Sequence, residues 1–223
     1  LDEDSISEKI EYFGYELSVD YTRATLITKN CDNAILGIWN HTGRFIKKSN
    51  PFFCDYNNDG TTEIFTYHRR KDSIFINGIN PGQGDFFFLK DRFIDLTRKV
   101  NGTVHLNIHN IQNTDYNKDG YQDILFMLNA GFSVQPRNFY MYDIKNDTLF
   151  KSPESFARFT YPCAIPYNID EDSANEYILS THAASNLKDL SVPFHDHACY
   201  LMVLDDDLSL KFNPRKFHSS LST

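Results

Sequence analysis

An acidic segment occurs twice in this chain, almost position for position, and a third, weaker copy follows. The first copy covers residues 55–65 (DYNNDGTTEIF) and the second covers residues 115–125 (DYNKDGYQDIL). The third copy covers residues 168–178 (NIDEDSANEYI). Because a recurring segment needs the same local structure around each copy, this pattern predicts a fold built from repeats of one supersecondary unit.

The residues between the acidic segments read as short β-strands separated by turns. Each segment is followed by a run of β-branched or aromatic residues, and two more strand-like runs come after it. Connectors such as residues 80–84 (NPGQG) and 205–207 (DDD) are polar and typical of turns. Each repeat therefore contains about four strands, which is the size of one β-propeller blade.

We predict an all-β fold: a single β-propeller-type repeat domain over residues 1–223, with about four four-stranded antiparallel blades in a partial or open propeller. The first unit lacks the acidic segment, and residues 33–39 and 44–47 are predicted to form a hairpin there. A short helix is expected only at residues 5–11, where Ser and Glu have the spacing of a helix cap. The predicted limits of the units are approximately 10–49, 50–99, 100–155 and 156–213.

The acidic segments carry an oxygen-bearing side chain at every second position, and a glycine at position 6 allows a sharp turn in the first two copies. Oxygens that converge in this way suit a hard cation with six to eight ligands, so we predict Ca²⁺ rather than Mg²⁺. The predicted ligands of the first loop are Asp55, Asn57, Asp59, Glu63 and the carbonyl of Thr61. Those of the second loop are Asp115, Asn117, Asp119, Asp123 and the carbonyl of Tyr121.

The third loop departs from this pattern, because asparagine replaces the first aspartate and serine replaces the glycine. With one negative charge fewer at position 1, we predict a weaker third site. Its predicted ligands are Asn168, Asp170, Asp172 and Glu176. Three bound Ca²⁺ ions would change the formal net charge from −8 to −2. Most of the excess of acidic residues is therefore accounted for by the predicted calcium ligands.

Two other interpretations of the acidic loops exist. An EF-hand begins in the same way, but it needs a bidentate Glu at position 12 and a helix on either side. Position 12 is Thr66 in the first loop and Phe126 in the second, and strand-like sequence surrounds both, which excludes an EF-hand. A metal-free turn stays open as the alternative, since Asn, Asp and Gly form such turns without an ion.

At residues 55–65 and 115–125 the chain resembles the FG-GAP/VCBS repeats of calcium-binding β-propellers, the blade type also found in integrin α subunits. Residues 168–178 match this motif in degenerate form, and in the first unit the resemblance rests on strand pattern alone. The resemblance implies antiparallel four-stranded blades, Ca²⁺ in the loops between first and second strands, and a home outside the cytoplasm. Family propellers usually close with about six to eight blades, so four units imply an arc that another segment or chain completes.

Composition and motifs exclude several classes of function. The chain of 223 residues is 41% hydrophobic and 15% aromatic, which predicts a folded protein, and it has no apolar run long enough to span a bilayer. Its 30 Asp and Glu outnumber its 22 Lys and Arg, which argues against nucleic acid as a partner. It has no nucleophile elbow, phosphate-binding loop, dinucleotide turn or HExxH motif, so an enzyme is disfavoured.

A second candidate site is the segment 194–198 (FHDHA), in which His195 and His197 flank Asp196, with His182 not far before it. A transition-metal site and a polar insertion between strands are both compatible with this pattern. The chain also has four cysteines, namely Cys31, Cys54, Cys163 and Cys199. We expect ordinary buried thiols, with one long-range disulfide as the alternative in an exported chain.

The predicted role is a non-catalytic, extracytoplasmic binding or sensing domain that Ca²⁺ stabilises. The Lys-, Asn-, Asp- and Ile-rich composition resembles bacterial extracytoplasmic sensor regions of two-component histidine kinases, although no kinase motif is present here. The expected partner is a small molecule, a glycan or a protein. The alternatives are an adhesion or carbohydrate-binding module, with aromatic runs such as residues 139–142 as sugar platforms, and a secreted hydrolase or lyase on a propeller scaffold.

Overall fold

The chain is all β throughout the part that the structure, a computed structural model, describes. That part comprises residues 9–13, 23–46, 51–81, 87–97, 99–100, 103–104, 106–130, 137–172 and 174–217. Its strands pair antiparallel in every sheet, which confirms the prediction of an all-β, antiparallel fold. Within these residues no helix is long and apolar enough to cross a membrane. The chain divides into two compact units, Leu1–Thr97 and Arg98–Thr223.

In its described residues, the first unit contains two sheets. Its strands are β1 (Lys9–Phe13), β2 (Arg23–Lys29), β3 (Ile35–Thr42), β4 (Arg44–Phe45), β5 (Phe52–Cys54), β6 (Glu63–Arg70), β7 (Ser73–Ile79) and β8 (Phe87–Leu96). One sheet has the order β1-β2-β3, and the other has the order β4-β6-β7-β8, with β5 also paired to β6. The short strands β4 and β5 thus share one edge of the second sheet.

Residues 9–11, the described part of the expected short helix, lie in a strand. Lys9–Phe13 pairs with β2, and residues 5–8 lie outside the described residues. The physical reason is the side-chain period of 2 along a strand, which turns Ile10 and Tyr12 toward one face. Both pack against a core that both sheets of the unit share. The buried members of this core are Ala24, Leu26, Trp39, Phe45, Ile64 and Ile79.

The predicted hairpin between residues 33–39 and 44–47 is wrong. Ile35–Thr42 pairs with β2, whereas Arg44–Phe45 pairs with β6 of the second sheet. Gly43 lies where the chain passes from one sheet to the other, with a φ of 119° that side chains rarely adopt. A Cβ on Gly43 would lie 2.4 Å from the carbonyl oxygen of Arg69, so the close approach of β6 requires glycine here.

The part of the second unit that the structure describes contains two four-stranded sheets and a small hairpin. Its strands are β9 (Lys99–Val100), β10 (Thr103–Val104), β11 (Leu106–Thr114), β12 (Asp123–Ala130), β13 (Asn138–Asp143), β14 (Thr148–Lys151), β15 (Arg158–Tyr167), β16 (Glu176–His182), β17 (Cys199–Leu204) and β18 (Arg215–Phe217). The sheets have the orders β11-β12-β13-β14 and β15-β16-β17-β18, and β9 pairs with β10. Neighbours in sequence are therefore neighbours in each sheet, as expected for a repeat of hairpins.

One hydrophobic core joins the two four-stranded sheets of the second unit. Leu125, Met127 and Phe139 contribute from the first of these sheets, and Tyr177 and Met202 contribute from the second. All five side chains are at most 3% exposed. Sheets that each have an apolar face are stabilised by stacking on one another.

The cysteines differ from one another in burial. Among the described side chains, Cys31 is exposed, Cys54 is buried and Cys199 is half-buried, and all three are free thiols. Cys31 therefore does not follow the expectation of a buried thiol. The side chain of Cys163 is outside the described part, so its state stays a prediction.

A buried polar cluster lies within the first unit. The side-chain nitrogen of Asn77 lies 3.1 Å from Nδ1 of His41 and 2.6 Å from Nδ1 of His68. Nε2 of His68 lies 3.2 Å from a carboxylate oxygen of Asp91, whose backbone N–H donates to the side-chain oxygen of Asn77. Burial lowers the pKa of His41 to about 3 and that of His68 to about 4. Both imidazoles are therefore neutral in the native protein at pH 7.

Replacement of His41 by phenylalanine should reduce the acid sensitivity of the protein. A histidine with a native pKa of about 3 and an unfolded pKa of about 6.5 binds protons mainly when unfolded, so stability is lost as the pH falls below 6.5. Between pH 7 and pH 5 this one group should remove about 2 kcal/mol from the free energy of unfolding. His41→Phe keeps the ring contacts with Phe45 and Phe87 and should lose about 2 kcal/mol less over that range. Urea denaturation of both proteins at each pH measures this, and equal losses would contradict it.

Candidate cation-binding loops

Each acidic segment connects two consecutive strands that pair antiparallel in one sheet. The first copy lies between β5 and β6, the second between β11 and β12, and the third between β15 and β16. In every copy the residue at position 9 is the first residue of the second strand. The repeat seen in the sequence is therefore a repeat of one loop type at one place in the sheet.

The first loop is organised by side chains that accept hydrogen bonds from its own backbone. The carboxylate of Asp55 accepts from the N–H groups of Asp59, at 3.1 Å, and Gly60, at 2.9 Å. The side-chain oxygen of Asn57 also accepts from Asp59, at 3.2 Å. The carboxylate of Asp59 accepts from the N–H of Thr61 at 2.8 Å. The side chains at positions 1, 3 and 5 of the loop are thereby turned toward its centre.

The second loop repeats these bonds one for one. Asp115 accepts from Asp119, at 2.9 Å, and from Gly120, at 3.0 Å. Asn117 accepts from the N–H of Asp119 at 3.1 Å, and Asp119 accepts from the N–H of Tyr121 at 3.0 Å. Two separate segments thus have the same side-chain orientation, which follows from their shared Asp, Asn, Asp and Gly positions.

The backbone of the two loops agrees as well. Asn58 and Lys118, at position 4, both have a φ of 56°, and Gly60 and Gly120, at position 6, have φ values of 87° and 86°. A Cβ on either glycine would meet no atom within 4 Å, so glycine is favoured by its conformation and not by lack of space. Two left-handed residues within three positions fold the chain sharply around the acidic side chains.

The acid at position 9 is buried in all three loops. Glu63 is 0% exposed, and Asp123 and Glu176 are each 1% exposed. In each case its carboxylate accepts a hydrogen bond from the N–H of position 2, which is Tyr56 in the first loop and Tyr116 in the second. This bond joins the beginning of the loop to its end.

Burial makes the ionised form of this acid unfavourable in the first two loops. The pKa of Glu63 and that of Asp123 are each raised to about 7, mainly by burial. Nearby aspartates contribute to this rise, and the hydrogen bond from the N–H of position 2 opposes it. An adjacent cation would favour the ionised carboxylates. The donor set of each loop, three carboxylates and an amide oxygen, therefore fits a hard divalent cation.

A further polar residue faces position 9 in each loop, at the end of the third strand. The register pairs Ile64 with Ile79, Ile124 with Tyr142, and Tyr177 with Leu204. The residue after each of these partners is polar, and it lies beside the acid at position 9. These residues are Asn80, Asp143 and Asp205.

Two of these residues have contacts that connect them to the first two loops. The side-chain nitrogen of Asn80 lies 3.4 Å from a carboxylate oxygen of Glu63. Asp143 is 2% exposed, accepts a hydrogen bond from the side-chain amide of Asn117 at 3.4 Å, and helps to raise the pKa of Asp123. The second loop thus has a fourth carboxylate nearby, which sequence analysis did not identify.

The third loop differs, because a lysine ammonium lies among its carboxylates. Nζ of Lys211 is 2.6 Å from Asp170, 2.8 Å from Glu176 and 3.0 Å from Asp205. The hydrogen bonds to Asp170 and Glu176 raise the pKa of Lys211. Asn168, at position 1, donates its side-chain amide to the carbonyl of Asp172 instead of accepting from the backbone. An ammonium group thus lies among the carboxylates of the predicted third Ca²⁺ site, and calcium binding at this loop stays a prediction.

The acids of the third loop also converge more closely than those of the other loops. Among the described residues, Asp170, Glu176 and Asp205 form the only trio of possible metal ligands whose ligating atoms lie within 4.8 Å of one another. Asp205 and Lys211 were not predicted as part of any site. The carbonyl ligands predicted at Thr61 and Tyr121 stay predictions.

The histidine segment serves the structure of a long connection. Asp196 is 0% exposed and accepts hydrogen bonds from the N–H groups of Asn186, at 2.8 Å, and Leu187, at 3.1 Å. Nε2 of His197 lies 2.7 Å from the carbonyl of Leu187, and Nε2 of His195 lies 2.8 Å from Nζ of Lys216. These contacts favour the polar insertion over the transition-metal site.

Comparison of the chain with protein-family models, with curated proteins and with solved structures gave no match in any of the three searches.

Proposed function

We propose that this chain is a calcium-stabilised β-sheet repeat domain whose first two acidic loops each bind one Ca²⁺ ion. The observation that carries the proposal is that two distant loops share the same hydrogen bonds, the same left-handed positions and a buried acid at position 9. A metal-free turn does not need a buried carboxylate beside two other acids, because the repulsion and the burial both cost free energy. A bound cation offsets both costs.

The domain works in a binding or sensing role outside the cytoplasm. Extracellular Ca²⁺ modules bind with Kd values of about 10⁻⁴–10⁻³ M, which cytosolic calcium would leave unfilled. The aromatic run Phe139–Tyr142 is buried and supports a role in packing over one as a sugar platform. A sensor region of a two-component histidine kinase is the context that we favour, with an adhesion module as the alternative.

The propeller arrangement is part of this proposal. The first sheet exposes Ile35, Leu36 and Ile38 on β3, which are 55%, 51% and 37% exposed. The last sheet exposes Ile165 and Leu201, which are 58% and 41% exposed. Repeat units normally bury such faces against neighbouring units, so these faces are suited to receive further blades from the rest of the protein or from another chain.

Removal of the first aspartate from either loop should remove one Ca²⁺ from the protein. Asp55→Ala and Asp115→Ala each delete a carboxylate that orients the loop, so each variant should bind one ion where the wild type binds two. Isothermal titration calorimetry with calcium chloride measures the number of sites. Asp189→Ala is the matched control, because the exposed Asp189 makes a similar turn with Ser191 outside the acidic loops. Unchanged stoichiometry in both loop variants would contradict the proposal.

A further inference from the structure

Lys211 occupies the position that a metal ion would need in the third loop. Its Nζ atom has one hydrogen-bonding carboxylate on each of three residues, Asp170, Glu176 and Asp205, at 2.6–3.0 Å. An ammonium group has three N–H donors and no acceptor, so this arrangement uses its full capacity. A Ca²⁺ ion takes oxygen ligands at about 2.3–2.6 Å, so it would have to lie at the same point among the same oxygens.

We propose that Lys211 is the built-in cation of the third loop, so that the chain binds two Ca²⁺ ions and closes its third acidic loop with its own ammonium group. The proposal deepens the function proposed above and rests on it for the first two loops. It also implies that loss of the Lys211 side chain opens a divalent-cation site formed by Asp170, Glu176 and Asp205.

The changes in the third loop agree with a cation of lower charge. Asparagine at position 1 removes one carboxylate, and its amide instead donates to the carbonyl of Asp172 at 2.7 Å. Glu176 keeps the buried place that position 9 has in the other loops, at 1% exposed. Its buried charge is therefore compensated by Lys211, whose side chain is 13% exposed.

The second loop offers a contrast within the same chain. Lys145 also approaches an acidic loop, but its Nζ lies 3.3 Å from one carboxylate, that of Asp119, and its side chain is 39% exposed. It lies over the ring of Tyr121, 4.2 Å from the centroid, and not among the loop carboxylates. Such an exposed pair is weak and leaves the loop oxygens available to an ion.

Lys211→Met tests this proposal, because methionine keeps most of the side-chain volume and removes the charge. We expect calcium titration to give one more bound ion per chain than the wild type, and the melting temperature of the variant to fall in EDTA and recover in millimolar calcium. Lys211→Arg keeps a positive charge and should bind as many ions as the wild type. Lys145→Met, the matched control at the second loop, should also leave the ion count unchanged.

The result that would overturn the proposal is a folded Lys211→Met protein with the wild-type ion count. Failure of this variant to fold in both EDTA and calcium would overturn it as well, since calcium should replace the ammonium. The two proposals fail in different ways. If the first two loops bind no calcium, the wild type binds none, and Lys211→Met should still gain one ion.

Discussion

The protein should melt at a higher temperature in calcium than in EDTA. Each of the first two loops holds three carboxylates, and one of these in each loop is a buried acid with a pKa of about 7, so a cation relieves both repulsion and burial. At a free calcium concentration about 100-fold above Kd, each site adds about 2.7 kcal/mol to the free energy of unfolding. For a chain of this size one site then corresponds to a shift of about 5–10 °C. Circular dichroism melts in both conditions measure it.

The source of this shift can be tested with a double variant. Asp55→Ala combined with Asp115→Ala should abolish the difference between calcium and EDTA, because both loops then lack the acid at position 1. Magnesium at the same concentration should stabilise the wild type less, since it requires a smaller and more regular set of ligands. A calcium shift that persists in the double variant would place the ions elsewhere.

Truncation of Phe139 should cause the largest loss of stability among single core substitutions in the second unit. Its side chain is 1% exposed, and its ring contacts that of Phe159 edge to face, with centroids 5.5 Å apart, so it joins the two sheets. Phe139→Ala removes this contact and leaves a cavity, which should cost about 3–5 kcal/mol. The midpoint of urea denaturation measures the loss.

Phe212→Ala is the control for this substitution. Phe212 is 53% exposed, so the same change there should alter the free energy of unfolding by no more than about 0.5 kcal/mol. Similar losses in the two variants would mean that Phe139 does not hold the core together.

The acidic loops could be predicted from sequence because their structure is local. The carboxylate of Asp55 accepts hydrogen bonds from the N–H groups four and five positions later. The side chains that shape the turn are therefore all contained in one short segment. The strands after each loop were predictable for a similar reason, since Ile64 and Ile124 begin runs of β-branched and aromatic residues. Local chemistry decides both features.

Features that depend on distant contacts were not predictable. The path of the chain at Gly43 depends on the carbonyl of Arg69 in another strand, so residues 44–47 could not be assigned to the correct sheet from their own pattern. Asp143 and Asp205 lie at the end of the strand that pairs with the strand after the loop, which places them beside the acid at position 9. The number of residues between them and position 9 varies with the length of the intervening hairpin. A fixed period in the sequence therefore does not reveal them.

Lys211 is the clearest case of a residue whose role only the structure identifies. It lies 35 positions after Glu176, and the acidic run 205–207 that precedes it reads in the sequence only as a polar turn. Its place among the three carboxylates explains why the third loop tolerates Asn168 at position 1. The degenerate sequence is thus accompanied by a different cation.

The most direct test of this account is a crystal structure of the protein grown in calcium chloride, with anomalous diffraction used to locate the ions. The account predicts two calcium peaks, one beside Glu63 in the first loop and one beside Asp123 in the second, with Nζ of Lys211 in the third loop. Absence of calcium from both of the first two loops would contradict the central claim.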